Sequence, residues 1–108
     1  MARNFIGEGE AVDLPAPYDV TSGSGALVGT LFGVALNTYK SGDMGVFGTE
    51  GIWDLKKTSA QAWTVGQAIY WDNTAKEATN VVGTNTLIGK AVLAAVNPSS
   101  TGRVRLNG

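Results

Sequence analysis

The amino-acid sequence predicts a small all-β domain, either a β-barrel or a β-sandwich. The chain has 108 residues, and its 15 glycines are spread almost evenly, which leaves no room for a long helix. Between the glycines lie short runs in which apolar and polar residues alternate, as they do in strands with one buried face. A chain of this length corresponds to one domain with one modest core.

The first predicted strands follow a glycine- and serine-rich loop at residues 22–25. In residues 31–36 the larger side chains Phe32, Val34 and Leu36 share one face. Residues 46–55 predict one further strand with Val46 and Ile52 on one face. The opposite face of that strand carries Phe47, Thr49, Gly51, Trp53 and Leu55. Both runs follow the two-residue period of a strand that turns one side to a core.

Three more strands are predicted towards the C-terminus. In residues 68–72, Ile69 and Trp71 face one way. Residues 87–96 are apolar nearly throughout, which predicts a strand buried on both faces. Residues 103–106 alternate cleanly, so we expect Val104 and Leu106 to point inward and Arg103 and Arg105 to point outward.

Two segments depart from the strand pattern. Residues 57–62 predict at most one or two helical turns, with Thr58 or Ser59 as the cap. The opening residues mix glycine, proline and acidic side chains with few apolar ones, so we expect residues 1–18 to form an extended arm and turn. Residues 19–108 then form the compact β-domain.

Two segments of the chain are similar in sequence: residues 30–36, TLFGVAL, and residues 86–92, TLIGKAV. In both runs glycine and alanine take alternate positions on one face, where another backbone could approach closely. Two interpretations remain open: the two strands play equivalent roles in a pseudo-symmetric domain, or these faces meet in an oligomer.

Composition excludes most catalytic and ligand-binding chemistry. The chain has no histidine and no cysteine, so the usual proton-transfer, nucleophilic and thiolate metal sites are not available. The run from Gly83 to Lys90 fails as a phosphate loop, because five residues separate its glycines and Ala91 follows the lysine. We therefore expect no enzyme activity, no cofactor and no metal.

A formal net charge of −1 argues against nucleic-acid binding, and no apolar stretch approaches the length of a membrane span.

The aromatic side chains allow two interpretations. Trp53 and Trp71 alternate with other apolar residues, which predicts a place in the core. Trp63 and Tyr70 could instead form a platform on which a sugar stacks.

Several short motifs, in order along nearly the whole chain, resemble a family of small phage and prophage proteins. They are MARNFIGEGE at residues 1–10, LVGTLFGVA at 27–35, GIWDL at 51–55, GQAIYWD at 66–72, LIGKA at 87–91 and TGRVRL at 101–106. That family was long described as a domain of unknown function and is associated with capsid cement, or decoration, proteins.

The resemblance implies a non-enzymatic virion protein, made in the bacterial host cytoplasm, that sits on the outside of a phage head. Its implied partners are the major capsid protein and further copies of itself, with a trimer expected. As contacts we expect Arg3, Asn4, Phe5 and Ile6, which would add a strand to a shell protein, although these residues could also begin the chain's own sheet. Arg103 and Arg105 are either solvated or in contact with an acidic neighbouring subunit. The alternative functions are a carbohydrate-binding β-module and a head–tail or tail connector.

Overall fold

A computed structural model of the chain describes residues 11–106, which form two antiparallel sheets. The strands are β1 (Ala11–Pro15), β2 (Gly25–Val28), β3 (Leu31–Ala35), β4 (Met44–Gly48), β5 (Gly51–Lys56), β6 (Ala68–Asp72), β7 (Glu77–Thr79), β8 (Thr86–Ala91) and β9 (Thr101–Leu106). The four-stranded sheet has the order β1-β4-β3-β2, and the five-stranded sheet has the order β5-β9-β8-β6-β7. The predicted all-β class is confirmed.

The five-stranded sheet curls into a half-barrel. Its two outer strands approach each other where Lys57, just after β5, bridges to Ala78 in β7. The backbone N–H of Thr58 also donates to the carbonyl oxygen of Ala78 over 2.9 Å. Closing a sheet in this way reduces the exposed edge that could otherwise pair with a foreign strand.

The main core lies inside the half-barrel and is completed by the four-stranded sheet. Phe32 and Val34 from β3 reach into it, and the Phe32 ring lies 4.9 Å from that of Trp71. The buried members of this core are Phe32, Val34, Leu55, Trp63, Ile69, Trp71, Ala78, Ile88, Ala91, Val104 and Leu106. The predicted inward positions in β6 and β9 are confirmed, since Ile69, Trp71, Val104 and Leu106 are all buried.

A second, smaller core lies on the other face of the four-stranded sheet. Phe47 is its fully buried centre, and Ala26 and Ala35 from β2 and β3 pack around it. Residues 16–20 cover this core with Ala16 and Val20. The chain can therefore bury both faces of β3, whereas the sequence pattern predicted one.

The continuous strand predicted over residues 46–55 is wrong. The chain turns at Glu50 and Gly51, and Gly51 has a φ of 102°, a left-handed conformation that glycine adopts without steric cost. The two halves of the run therefore belong to different sheets. As a result Phe47 and Trp53 do not share a face: Phe47 fills the smaller core, while Trp53 packs against the main one.

Two further expectations also fail. Residues 57–62 form a bridge and a turn, and no helix occurs in residues 11–106. The long buried strand predicted over 87–96 ends at Ala91, and Leu87, Leu93 and Val96 are exposed. Apolar character alone could not separate a buried strand from a strand followed by an apolar surface loop.

The two similar segments lie in β3 and β8, which belong to different sheets and each pair with two neighbouring strands. Gly89 provides the close approach that the pattern predicted, because a Cβ there would overlap the Arg105 carbonyl group of the neighbouring strand. For Gly89 this contact lies within one chain, which supports the pseudo-symmetric interpretation.

Candidate partner-binding surfaces

The outer surface of the half-barrel carries three basic side chains, Lys90, Arg103 and Arg105. Together with their neighbours Ile52 and Asp54 they form what we call the basic face. Register places these residues together, because Arg105 pairs with Ile52 on one side and with Lys90 on the other, and Arg103 pairs with Asp54. Residues directly opposite each other in an antiparallel pair point to the same side of the sheet. Three cations and one carboxylate therefore share this surface, with the 60% exposed Ile52 among them.

Arg103 and Asp54 form a two-point ion pair on this face. Arg103 Nε donates to Asp54 Oδ1 over 2.9 Å, and one terminal nitrogen donates to Oδ2 over 3.2 Å. The hydrogen bond from Arg103 holds the pKa of the Asp54 carboxyl below its usual value, and the same hydrogen bond raises the pKa of Arg103. Both groups are exposed, so the pair orients Arg103 more than it stabilises the fold.

Arg105 is the basic side chain of β9 that is left available. Within residues 11–106 no carboxylate forms a salt bridge with it. The predicted outward positions of Arg103 and Arg105 are confirmed, and the structure adds that only Arg103 has an acidic partner among the residues it describes. The other predicted contacts, Arg3, Asn4, Phe5 and Ile6, lie outside the described residues.

A second surface, which we call the apolar face, lies on the four-stranded sheet. It consists of Ala11, Pro15, Leu36, Met44 and Val46, with Asp13 in its middle. Met44 is 68% exposed, Leu36 43% and Val46 38%. Asp13 pairs with Val46 and Pro15 with Met44, and the N–H of Leu36 donates to the Val46 carbonyl over 3.1 Å, so these side chains adjoin across three strands.

The apolar face is exposed because the half-barrel covers only part of this sheet. Phe32, Val34 and Leu36 do share one face, as the sequence predicted, but the first two reach the main core and Leu36 lies beyond it. A groove of about 460 Å³ continues this face towards the half-barrel. Its lining residues are Ala11, Leu36, Gly48, Glu50, Gly51 and Trp53. Sequence reasoning missed this surface, although Met44 and Val46 alternate with Gly45 and Phe47 in the manner of a two-sided strand.

The aromatic platform does not form as predicted. Trp63 is 1% exposed and belongs to the main core, where its indole N–H donates to Gln61 Oε1 over 3.2 Å. A sugar could not stack on a ring that the protein itself covers on all sides. This burial removes the residue on which the carbohydrate-binding alternative mainly depended. Tyr70, the other residue of the predicted platform, is half-buried.

Lys57 is a buried cation that the sequence did not single out. It is 1% exposed, and its ammonium donates to the Thr58 carbonyl over 2.8 Å and to that of Ser99 over 3.4 Å. The ammonium also lies 5.7 Å from the centre of the Trp63 ring. Burial lowers the pKa of Lys57, because the charged form loses its hydration. These contacts tie the residue after β5 to Ser99 and to the main core, which is a structural role.

The chemistry for binding a metal or phosphate is not assembled in the described part of the chain. Within residues 11–106 no three acidic side chains come together in a way that could hold a metal ion. Lys90 lies within strand β8 and not at the start of a helix, so its neighbourhood offers no row of free backbone N–H groups to a phosphate. None of the described residues belongs to a helix capable of crossing a bilayer.

A sequence model of the phage cement protein family matches residues 6–106, which is nearly the whole chain. The chain belongs to the phage cement protein family. No curated protein and no solved structure matches the chain significantly. Membership supports a structural role in association with the phage capsid, and it favours a cement protein over the carbohydrate-binding module. The basic face and the apolar face are thus surfaces of a capsid-associated protein, and their exposure is explained if other chains cover them.

Proposed function

We propose that this cement-family chain binds the outside of an assembled phage head and stabilises the shell without catalysing a reaction. Membership of the phage cement family across residues 6–106 is the observation that carries the proposal. Composition supports it: 44% of the residues are hydrophobic and only 16% are charged, so the surface is poor in charge for a protein that remains alone in solution.

The physical basis of cementing is simultaneous binding to several subunits. A protein that contacts neighbouring shell subunits at once gains from their high effective concentration, so modest single contacts add up to tight attachment. Because it binds the assembled shell and not the dispersed subunits, mass action shifts the equilibrium towards the assembled state. The major capsid protein is the proposed partner, and the head surface of the virion is the proposed location.

The proposed shell contact is the segment that precedes β1. In it, Phe5 and Ile6 act as apolar anchors and Arg3 and Asn4 fix the register of a strand added to a shell protein. The position of β1 supports this arrangement, because β1 is an outer strand of its sheet and pairs with β4 alone among the described strands. From Ala11 onward the predicted arm is part of the chain's own sheet, so the proposal concerns the residues before it.

The proposed role of Arg103 and Arg105 is contact with an acidic neighbouring subunit. The support comes from the basic face, where Arg103 is already held by Asp54 and Arg105 projects beside the exposed Ile52. An apolar side chain next to an arginine is a common composition for the centre of a protein interface.

The experiment is to mix the purified full chain with expanded empty heads and to measure co-sedimentation and the melting temperature of the shell. We expect saturable binding and a higher shell melting temperature, both of which follow from preferential binding to the assembled state. Dispersed capsid subunits are the control and should not bind. If heads and protein fail to co-sediment at any concentration, the cement proposal is wrong.

A further inference from the structure

The apolar face and the basic face of one chain are complementary in charge. The apolar face has Asp13 in its middle, and Glu50 lies on the groove that continues it; both side chains are exposed. The basic face has Lys90, Arg103 and Arg105 around the exposed Ile52. Each face therefore offers exposed apolar area, and the net charges of the two faces are opposite in sign.

We propose that the apolar face of one copy of this chain receives the basic face of a second copy. In this contact Ile52 of one copy packs against Met44, Val46 and Leu36 of the next. Arg105 of the first copy then reaches Asp13 or Glu50 of the second. The acidic neighbouring subunit of the preceding section is thereby identified as another molecule of the same protein.

Two features favour a second copy over the shell as the occupant of the apolar face. The acidic side chains on and beside this face match a basic face that the chain itself provides. Arg105 also lacks a carboxylate partner within residues 11–106, whereas Arg103 has Asp54. Burying Arg105 against a carboxylate would satisfy a charge that is otherwise only solvated.

The two faces are different surfaces, so the contact is head-to-tail. Every copy then uses its apolar face towards one neighbour and its basic face towards the other, and a rotation that closes produces a ring. A two-fold dimer is the geometric alternative, and it would bring like faces together. In a dimer of apolar faces the Asp13 side chains of the two copies would share one interface and repel each other.

The test measures the mass of the free full-length chain by sedimentation velocity and native mass spectrometry over a wide concentration range. We expect a closed oligomer for the wild type.

The double substitution Met44→Ser/Val46→Ser should weaken association by at least about 100-fold, because it removes two apolar side chains that the contact would bury. Both side chains are exposed in the single chain, so the monomer should keep its fold and its melting temperature. Val81→Ser/Val82→Ser is the matched control, since it changes two exposed valines outside both faces, and it should associate like the wild type.

Charge exchange tests the direction of the contact. Asp13→Lys and Arg105→Glu should each weaken association, and the double variant Asp13→Lys/Arg105→Glu should recover it, because both charges are then reversed together. Stronger association of the neutral variant Asp13→Asn than of the wild type would overturn the proposal in favour of the two-fold dimer, because it removes the repulsion between two Asp13 side chains. A monomeric wild type at all concentrations, or unchanged association of Met44→Ser/Val46→Ser, would also overturn it. Head binding is measured separately, so either proposal can fail without the other.

Discussion

The backbone of Gly89 in β8 lies directly against the carbonyl group of Arg105 in β9, so closely that a Cβ on residue 89 would overlap the Arg105 oxygen. The two strands meet here in antiparallel register, with Gly89 opposite Leu106 and Lys90 opposite Arg105. The same two strands carry Lys90 and Arg105 of the basic face. A substitution at residue 89 that pushed the strands apart would therefore also displace these two charges.

Replacing Gly89 tests this relationship. Gly89→Ala should lower the free energy of unfolding by about 3 kcal/mol or more, because the added methyl group meets rigid backbone and the strands must separate. Gly23→Ala is the control: a Cβ there meets nothing within 4 Å, and only its φ of 86° opposes the change. We expect that variant to lose about 1 kcal/mol. Urea unfolding of both variants gives the comparison, and equal losses would contradict the close approach.

Trp63 should behave as a core residue and not as a ligand-binding one. Trp63→Ala removes a ring that is 1% exposed, so we expect a loss of about 3–5 kcal/mol in the free energy of unfolding. The half-buried Tyr70 is the comparison, and Tyr70→Ala should cost less. Thermal unfolding monitored by circular dichroism measures both. A Trp63→Ala variant that kept its stability but lost binding to a glycan would restore the carbohydrate-binding alternative.

Sequence reasoning predicted correctly the strands in which turn residues bound the alternating pattern. Val104 and Leu106 alternate with Arg103 and Arg105 up to the end of β9, and the alternation alone determined which side chains were buried. The outward positions of Arg103 and Arg105 could therefore be expected from the sequence, whereas the position of Lys90 beside them could not. The ion pair could not be expected either, because Arg103 and Asp54 are 49 positions apart and meet only through the pairing of β5 with β9.

The failures share a physical cause, which is that periodicity does not show where a chain turns. The alternation of residues 46–55 continues through Glu50 and Gly51, although the backbone leaves one sheet there and enters the other. The sequence analysis therefore placed Phe47 and Trp53 on the same face of one strand and did not identify the groove between the sheets. The apolar face was missed for a related reason, since its exposure depends on how far the second sheet extends over the first.

Lys57 predicts how stability changes at alkaline pH. Burial lowers the pKa of its ammonium below the ordinary 10.5, while the unfolded chain keeps the ordinary value. Between the lowered pKa and 10.5 the unfolded state binds more protons than the folded state, so the Lys57 contribution to the free energy of unfolding rises with pH. Lys57→Met removes the titrating group. The stability of the wild type relative to this variant should therefore increase through that window.

Tyr18 changes the free energy of unfolding in the opposite direction at alkaline pH. Burial raises the pKa of Tyr18 above 10.0, so above that pH the folded state holds a proton that the unfolded state has released, and stability falls. Wild type and Lys57→Met share this effect, and it cancels in their difference. Urea unfolding at a series of pH values measures the difference, and parallel curves for the two proteins would show that Lys57 is not desolvated.

The residues before β1 can be separated from the fold by truncation. Deleting Ala2 to Gly9 should leave a folded protein, because the pairing of Ala11–Pro15 with β4 and the cover that Ala16 gives the smaller core are both kept. The same deletion should abolish co-sedimentation with expanded heads, because it removes the proposed shell contacts Arg3, Asn4, Phe5 and Ile6.

Two substitutions in the full chain sharpen that experiment. Phe5→Ser/Ile6→Ser should reduce head binding nearly as much as the deletion, since the two apolar anchors supply most of the buried area of the added strand. Lys40→Ala changes an exposed side chain in the turn near the far end of β1, away from residues 3–6 in the sequence, and should bind as the wild type does. A truncated protein that stays folded and still binds expanded heads normally would rule out this segment as the shell contact. The attachment would then have to come from surfaces within residues 11–106.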